Sequence, residues 1–171
     1  YGSNSDTFQK LRWKGKQAEQ RMRRATGGVN THKGAIFSMG IFCAATAAAS
    51  LREGGYSRTR LAEGCAALCK GLCDDFVQLD RGLRSPCSYG EHLYCQHGIV
   101  GIRGEAERGF PSVMQLGLPA LQAALKRGES CNDAALYALL QLMTSVEDTN
   151  VLTRSDLQTL KWMQQLSLIH I

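Results

Sequence analysis

Apolar residues recur at helical spacing along most of this chain, and glycines and prolines cut the pattern into segments. Phe8, Leu11, Ala18, Met22 and Ala25 predict a first helix from Asp6 to Ala25, with Asp6 as N-cap and Gly27-Gly28 as its stop. A second helix is predicted from Lys33 to Arg52. No charged residue lies between Ala35 and Leu51, a pattern that suits either a buried central helix or a membrane span. The alanine content and the internal Gly40 weaken the span in transfer free energy, so the expectation is a buried central helix. Gly54-Gly55 breaks the pattern. Ser57 then caps a third helix running to about Phe76, with Leu61, Cys65, Leu68, Leu72 and Phe76 as its stripe.

Residues 77–109 are less regular and rich in glycine, with a short helix over Tyr89–Gln96. Pro111 and Pro119 sit where first-turn prolines belong and predict short helices ending near Gly117 and Gly128. Asn132 caps an amphipathic helix carrying Ala135, Leu136, Leu139, Leu140, Met143 and Val146, and a last helix starts at Ser155 with Leu157, Leu160 and Trp162. The fold class is therefore all-α: a compact helical bundle with a buried central apolar helix. Because the chain opens on Tyr1 rather than Met, we expect it to be truncated at the N-terminus. We expect residues 1–165 to form a single all-α domain (partial) and Leu166–Ile171 to be a non-native tail, which removes His170 from the candidate chemistry.

Composition agrees with helices. Leu and Ala number 39 residues against 12 for Val and Ile, which argues strongly against an all-β fold. Seven cysteines in 171 residues are too few for a disulfide framework. With no charged-then-apolar leader in view, the expectation is a reducing, cytoplasmic setting. Charge is what narrows the field. Residues 1–24 hold seven bases (Lys10, Arg12, Lys14, Lys16, Arg21, Arg23, Arg24) and two acids, which accounts for the whole net charge of +5. That segment reads as a solvated helix face or as a positive rim for a polyanionic small ligand. No aromatic residues are interleaved as a stacking ladder, so nucleic acid is not expected as a partner.

Cys65, Cys69 and Cys73 share one predicted helical face, but no C-x-x-C pair occurs and His92 and His97 are five residues apart. Buried thiols are expected there, not a structural zinc. Thr26-Gly27-Gly28-Val29-Asn30-Thr31-His32-Lys33-Gly34 is different in kind, because it sets glycines, hydrogen-bonding side chains, a His and a Lys before a helix N-terminus. Unpaired N–H groups and partial positive charge make such a terminus a phosphate site, with Asn30, Thr31, Lys33 and His32 as its candidates. It is not a Walker A loop, since G-x-x-x-x-G-K-[ST] is not met. In Gly98–Glu107, Arg103, Glu105 and Glu107 lie among glycines that would let backbone approach a ligand. Glu147-Asp148, followed by Asn150 and Arg154, reads as paired acids at the unfavourable end of a helix dipole. A magnesium ion carried with a nucleotide triphosphate would offset them.

Taken together, these runs carry a resemblance. Leu11-Arg12, Gly15-Lys16, Ala18-Glu19 and Met22 lead into Ala25–Ser38; Tyr89-Gly90-Glu91, Gly98–Val113, Leu118–Leu121 and Glu147–Val151 follow in order. The sequence resembles the triphosphoribosyl-dephospho-CoA synthase family from about residue 11 to 165. The resemblance implies an all-α fold and transfer of the triphosphoribosyl group of ATP to the ribose 2′-hydroxyl of 3′-dephospho-CoA, releasing adenine. The product is the precursor of the prosthetic group of citrate lyase or malonate decarboxylase. Such a reaction needs an anion near the developing sugar charge, a base for the 2′-hydroxyl and cations for the triphosphate. Glu105 and Glu107, from their glycine-flanked run, and His32, as an acid for adenine or a phosphate contact, are the candidate catalytic groups, with Asn30, Thr31, Lys33, Arg103, Asn150 and Arg154 as candidate substrate and phosphate ligands. Glu147 and Asp148 would hold Mg2+, with ATP and 3′-dephospho-CoA as partners and no membrane. Neither the family's upstream Pro-Gly-Leu-Val-Asp stretch nor its Gly-Ala-His-x-Asp-Met stretch occurs here, and Arg154-Ser155-Asp156 stands where the family usually has Arg-Gly-Gly. The alternatives are an inactive fragment of the enzyme, another nucleotide-dependent enzyme on the same scaffold, and a non-enzymatic helical interaction module whose basic first helix meets an acidic partner.

Overall fold

The computed structural model describes residues 4–51 and 56–169. Its helices are α1 (Asn4–Ala25), α2 (Lys33–Ser50), α3 (Arg58–Cys69), α4 (Asp74–Asp80), α5 (Tyr89–His97), α6 (Gly101–Glu107), α7 (Leu118–Lys126), α8 (Cys131–Met143), α9 (Thr149–Arg154) and α10 (Leu157–Ile169). No strand occurs among the described residues, so the chain is all-α. Arg52, the Gly54-Gly55 break and His170 lie outside the described residues. Two compact units emerge, one of residues Tyr1–Asp74 with Ile102–Gly109, the other of Asp75–Gly101 with Phe110–Ile171.

In the first unit α1, α2 and α3 pack on one another. The α2–α3 contact is close because Gly64 faces Ala45: a Cβ on Gly64 would already lie 3.5 Å from the Ala45 methyl. Ser57 caps α3 as expected, accepting from the Arg60 N–H at 3.2 Å. The third helix stops at Cys69, short of the expected Phe76, because Gly71 takes φ 81°, a left-handed conformation that ends a helix. The buried central helix also needs correction. Only Ile41, Ala45 and Ala49 of α2 are buried, one stripe at i, i+4 and i+8, while Met39, Cys43, Thr46 and Ser50 on the opposite side are exposed. Ile36, Phe37, Phe42 and Ala44 beside that stripe are half-buried, and only the side opposite it stays uncovered. By length and composition α2 is apolar enough to cross a membrane.

In the second unit Leu93, Ile99, Leu152 and Leu160 form a buried cluster, with Val151 and Leu157 packed against it. Helices α7 and α8 pack face to face, with Gly117 against Leu142. Pro111 and Pro119 do not open two separate helices. Helical structure runs from Pro111 to Lys126 through a π-turn at Val113–Gly117, where Leu118 N–H donates to Val113 O. Pro119 has no N–H to donate, and the widened turn accommodates it without a break. Ser130 caps α8 in place of Asn132, accepting from the Asp133 N–H. Correspondingly the covered side of α8 is rotated: Ala134 is buried while Leu136 and Leu139 are exposed. Leu166–Ile169 continue α10, and Ser167 is buried.

Candidate functional site

The Thr26–Gly34 run folds as an ordered connection ahead of α2. Gly27 and Gly28 both take positive φ, 63° and 93°, which turns the chain sharply after α1. Thr26 Oγ1 donates to Val29 O at 2.6 Å, and Arg23 Nη1 donates to Gly28 O at 3.2 Å. The Asn30 carboxamide, not a side chain at the N-cap position, accepts from the Lys33 N–H at 3.1 Å. Thr31 Oγ1 and His32 Nδ1 share a hydrogen bond of 2.7 Å, and His32 N–H donates to Met22 Sδ at 3.3 Å. Lys33 Nζ lies 3.6 Å from a Glu19 carboxylate oxygen and is half-exposed. Asn30, Thr31, His32 and Lys33 therefore stand together, exposed, at the positive end of an 18-residue helix, and all seven bases of the basic segment are exposed on α1.

Arg103, Glu105 and Glu107 are not on a loop. They lie on α6, preceded by Gly98 (φ 71°), which caps α5 in the left-handed conformation. Two of the three grip backbone: Arg103 Nε and Nη2 donate to Leu72 O, the first at 3.0 Å, and Glu107 Oε1 accepts from Gly71 N–H at 2.7 Å. Spaced i and i+4 on one helix, they clamp the turn between Cys69 and Asp74. The Cys73 thiol also hydrogen-bonds Glu107. Burial pushes the neighbouring thiols up, Cys65 to about 11 and Cys69 to about 12, and Cys73 likewise to about 12 with the help of its bond to Glu107. Glu105, mostly covered, has Arg108 Nη2 at 3.7 Å.

Glu147, Asp148, Asn150 and Arg154 belong to the second unit. The expectation that the acids close a helix is corrected by the structure. Helix α8 ends at Met143, and Asp148 is the N-cap of α9, where Oδ1 accepts from Asn150 N–H at 2.7 Å and Val151 N–H at 3.4 Å. A carboxylate there meets the favourable end of the dipole and needs no cation to offset it. No group of three or more His, Cys, Asp or Glu placed to hold a metal occurs among the described residues.

Sequence reasoning passed over two features of this second unit. A cavity of about 550 Å³ opens between α5 and the start of α10, with Leu93, Leu152 and Leu157 at its apolar side and His97, Asp156 and Lys161 among its polar lining. Asp156 N-caps α10, and the Thr159 N–H bond (2.7 Å) holds its carboxyl below the ordinary range. Glu91 is the second feature. It is 3% exposed and accepts from Cys87 N–H at 2.8 Å, Ser88 N–H at 3.1 Å and Arg84 Nη2 at 2.9 Å. The Cys87 N–H bond above all lowers its pKa to about 2. Ser-x-x-Glu at residues 88–91 is the capping-box signature that could have found it.

Residues 3–167 match the ATP:dephospho-CoA triphosphoribosyl transferase family. The chain belongs to this family. Among curated members, the 2-(5''-triphosphoribosyl)-3'-dephosphocoenzyme-A synthase of Pectobacterium atrosepticum is 41% identical over 85% of the chain and 48% of the relative. Proteins named as probable synthases of the same kind are 38% identical in Photobacterium profundum (91% of the chain, 49% of the relative) and 37% in Citrobacter koseri (95% and 53%). The chain spans about half the length of the curated family members it matches. No solved structure matches it.

Proposed function

We propose that this chain is part of a transferase that moves the triphosphoribosyl group of ATP to the 2′-hydroxyl of 3′-dephospho-CoA. The observation that carries the reading is the family match over residues 3–167. The α2 N-terminus with Lys33, Asn30 and Thr31 supports it as a triphosphate seat, and the exposed bases of α1 would draw the polyanion in. Arg103 would add charge to that seat, and Asn150 and Arg154 would bind substrate from α9. Cleavage at the ribose builds oxocarbenium-like charge, as in glycoside hydrolysis. In this reading Glu105 takes the proton of the attacking 2′-hydroxyl as the new C–O bond forms and the bond to adenine N9 breaks. His32 protonates the departing base. Glu107, engaged with Gly71 N–H, supplies negative charge and holds the turn rather than moving a proton. The two acids Glu147 and Asp148 do not by themselves make a resident metal site; magnesium would arrive with the substrate as MgATP, and they would contact it there. The product would supply the prosthetic group of citrate lyase or malonate decarboxylase. All seven cysteines are free, which supports a cytoplasmic setting.

The test joins this chain to the portion of the Pectobacterium relative that it does not span and follows adenine by chromatography. Release that requires both MgATP and dephospho-CoA is expected; none from a folded, joined chain rejects the activity and favours a helical interaction module. Glu105→Gln should lower turnover roughly 10²–10⁴-fold with MgATP affinity little changed. Equal losses in both would make Glu105 structural. Asp148→Asn retains a good N-cap, so thermal stability should hold while the magnesium requirement rises. An unchanged magnesium titration would leave Asp148 as a helix cap and nothing more.

A further inference from the structure

In the first unit α1, α2 and α3 pack on one another, yet only one side of α2 is covered. Besides Met22, Ile41 and Leu68, the buried apolar residues of that unit are alanines and cysteines. Opposite the Ile41–Ala45–Ala49 stripe, Met39, Cys43, Thr46 and Ser50 recur at i, i+4, i+7 and i+11 and form an uncharged, exposed face. Met39 is 60% exposed there, and Trp13 on the neighbouring α1 is 58% exposed. A helix side with no charged residue along its length, carrying exposed Met39 and followed by exposed Leu51 at the C-cap, has the character of a contact surface rather than a solvated one. The matched relatives continue for about as many residues again as this chain aligns to. In those relatives the remaining half is present at one copy per chain and close at hand by covalent linkage, which makes it a defined occupant.

We propose that the Met39–Cys43–Thr46–Ser50 face of α2 is the docking surface for the half of the family polypeptide that lies beyond these residues. The inference rests on family membership and not on the proposed reaction. The Ser50 hydroxyl donates to Ala47 O at 2.9 Å within the helix, and the Thr46 hydroxyl suits a protein contact, with its hydrogen-bond partners, better than hydrocarbon.

Cys43 supplies the probe. Alkylation by a maleimide, read residue by residue by mass spectrometry, should proceed at similar rates at Cys43 and at exposed Cys131 in this chain alone. In the chain joined to the remaining part of the Pectobacterium relative, Cys43 should react at least tenfold more slowly, with Cys131 unchanged. Equal Cys43 rates in the two proteins overturn the proposal. Slowing in the chain alone as its concentration rises, or on adding phosphatidylglycerol vesicles, overturns it in favour of a second copy or a membrane. Met39→Glu gives an independent reading: it should leave the thermal midpoint of this chain in place and lower that of the joined chain. An unmoved midpoint in both overturns the proposal. Adenine release is not read in any arm, so failure here is separable from failure of the proposed activity.

Discussion

Gly109→Ala is expected to be the most damaging small substitution in the first unit. A Cβ at this position would stand 2.5 Å from Ala62 O and 3.0 Å from the Ala62 carbonyl carbon. The obstacle is the backbone of α3 rather than a side chain that could rotate away. Gly109 also takes φ 78°, which costs a non-glycine residue about 1 kcal/mol more. Overpacking of this kind adds roughly 1–3 kcal/mol, so a total near 3 kcal/mol is expected. Gly28→Ala is the matched control. Its φ is 93° but nothing lies within 4 Å of the added methyl, so it should cost only the backbone share. Urea unfolding of both variants measures the difference. Equal losses would mean that Gly109 is kept for its conformation alone.

Glu91→Gln should destabilise the second unit by about 2 kcal/mol, the cost of turning an amide NH2 toward donors that a buried carboxylate had satisfied. Both carboxylate oxygens are engaged by donors, Oε1 by Arg84 and Oε2 by the Cys87 and Ser88 N–H groups. Whichever way the amide turned, its NH2 would face a donor. The pH dependence follows with a definite sign. Folding lowers the Glu91 pKa from 4.5 to about 2, so its contribution is complete above pH 4.5 and declines as pH falls. It is gone once pH passes below about 2. The wild-type unfolding midpoint should fall steeply across that window, and the Gln variant should start lower and fall less. Parallel curves would show that Glu91 titrates alike in the folded and unfolded chain.

Helix positions were legible where short-range chemistry decides them. Ser57 as a cap and Gly27-Gly28 as a stop act within a turn of the chain, and both stand where the sequence puts them. The third helix was overrun because Leu61–Phe76 keeps its apolar stripe across Gly71. The chain leaves the helix at Lys70 (ψ 128°) and turns at Gly71 (φ 81°), and Arg103 and Glu107, some thirty residues away, hold that turn. Helix α6 was hidden for a related reason: glycines at 98, 101 and 104 lower helix propensity, and the helix is fixed by what its charged residues grip. Asp148 was placed at the wrong end of a helix because acids suit an N-cap and α8 ends a turn earlier than its apolar pattern. Of the candidate site, the sequence identified the residue types and the runs, while the partner of each carboxylate depends on contacts distant in the chain.

The sulfur atoms of the first unit carry one more consequence. With pKa values of about 11 to 12, Cys65, Cys69 and Cys73 hold roughly one thiolate in ten thousand or fewer at neutral pH. Peroxide attacks the thiolate, so oxidative damage should begin at exposed Cys43, Cys87, Cys95 and Cys131 and spare Cys65, Cys69 and half-buried Cys73. Ageing of the protein in air would then yield reducible cross-linked oligomers and outer sulfenic acids well before the turn held by Glu107 is touched.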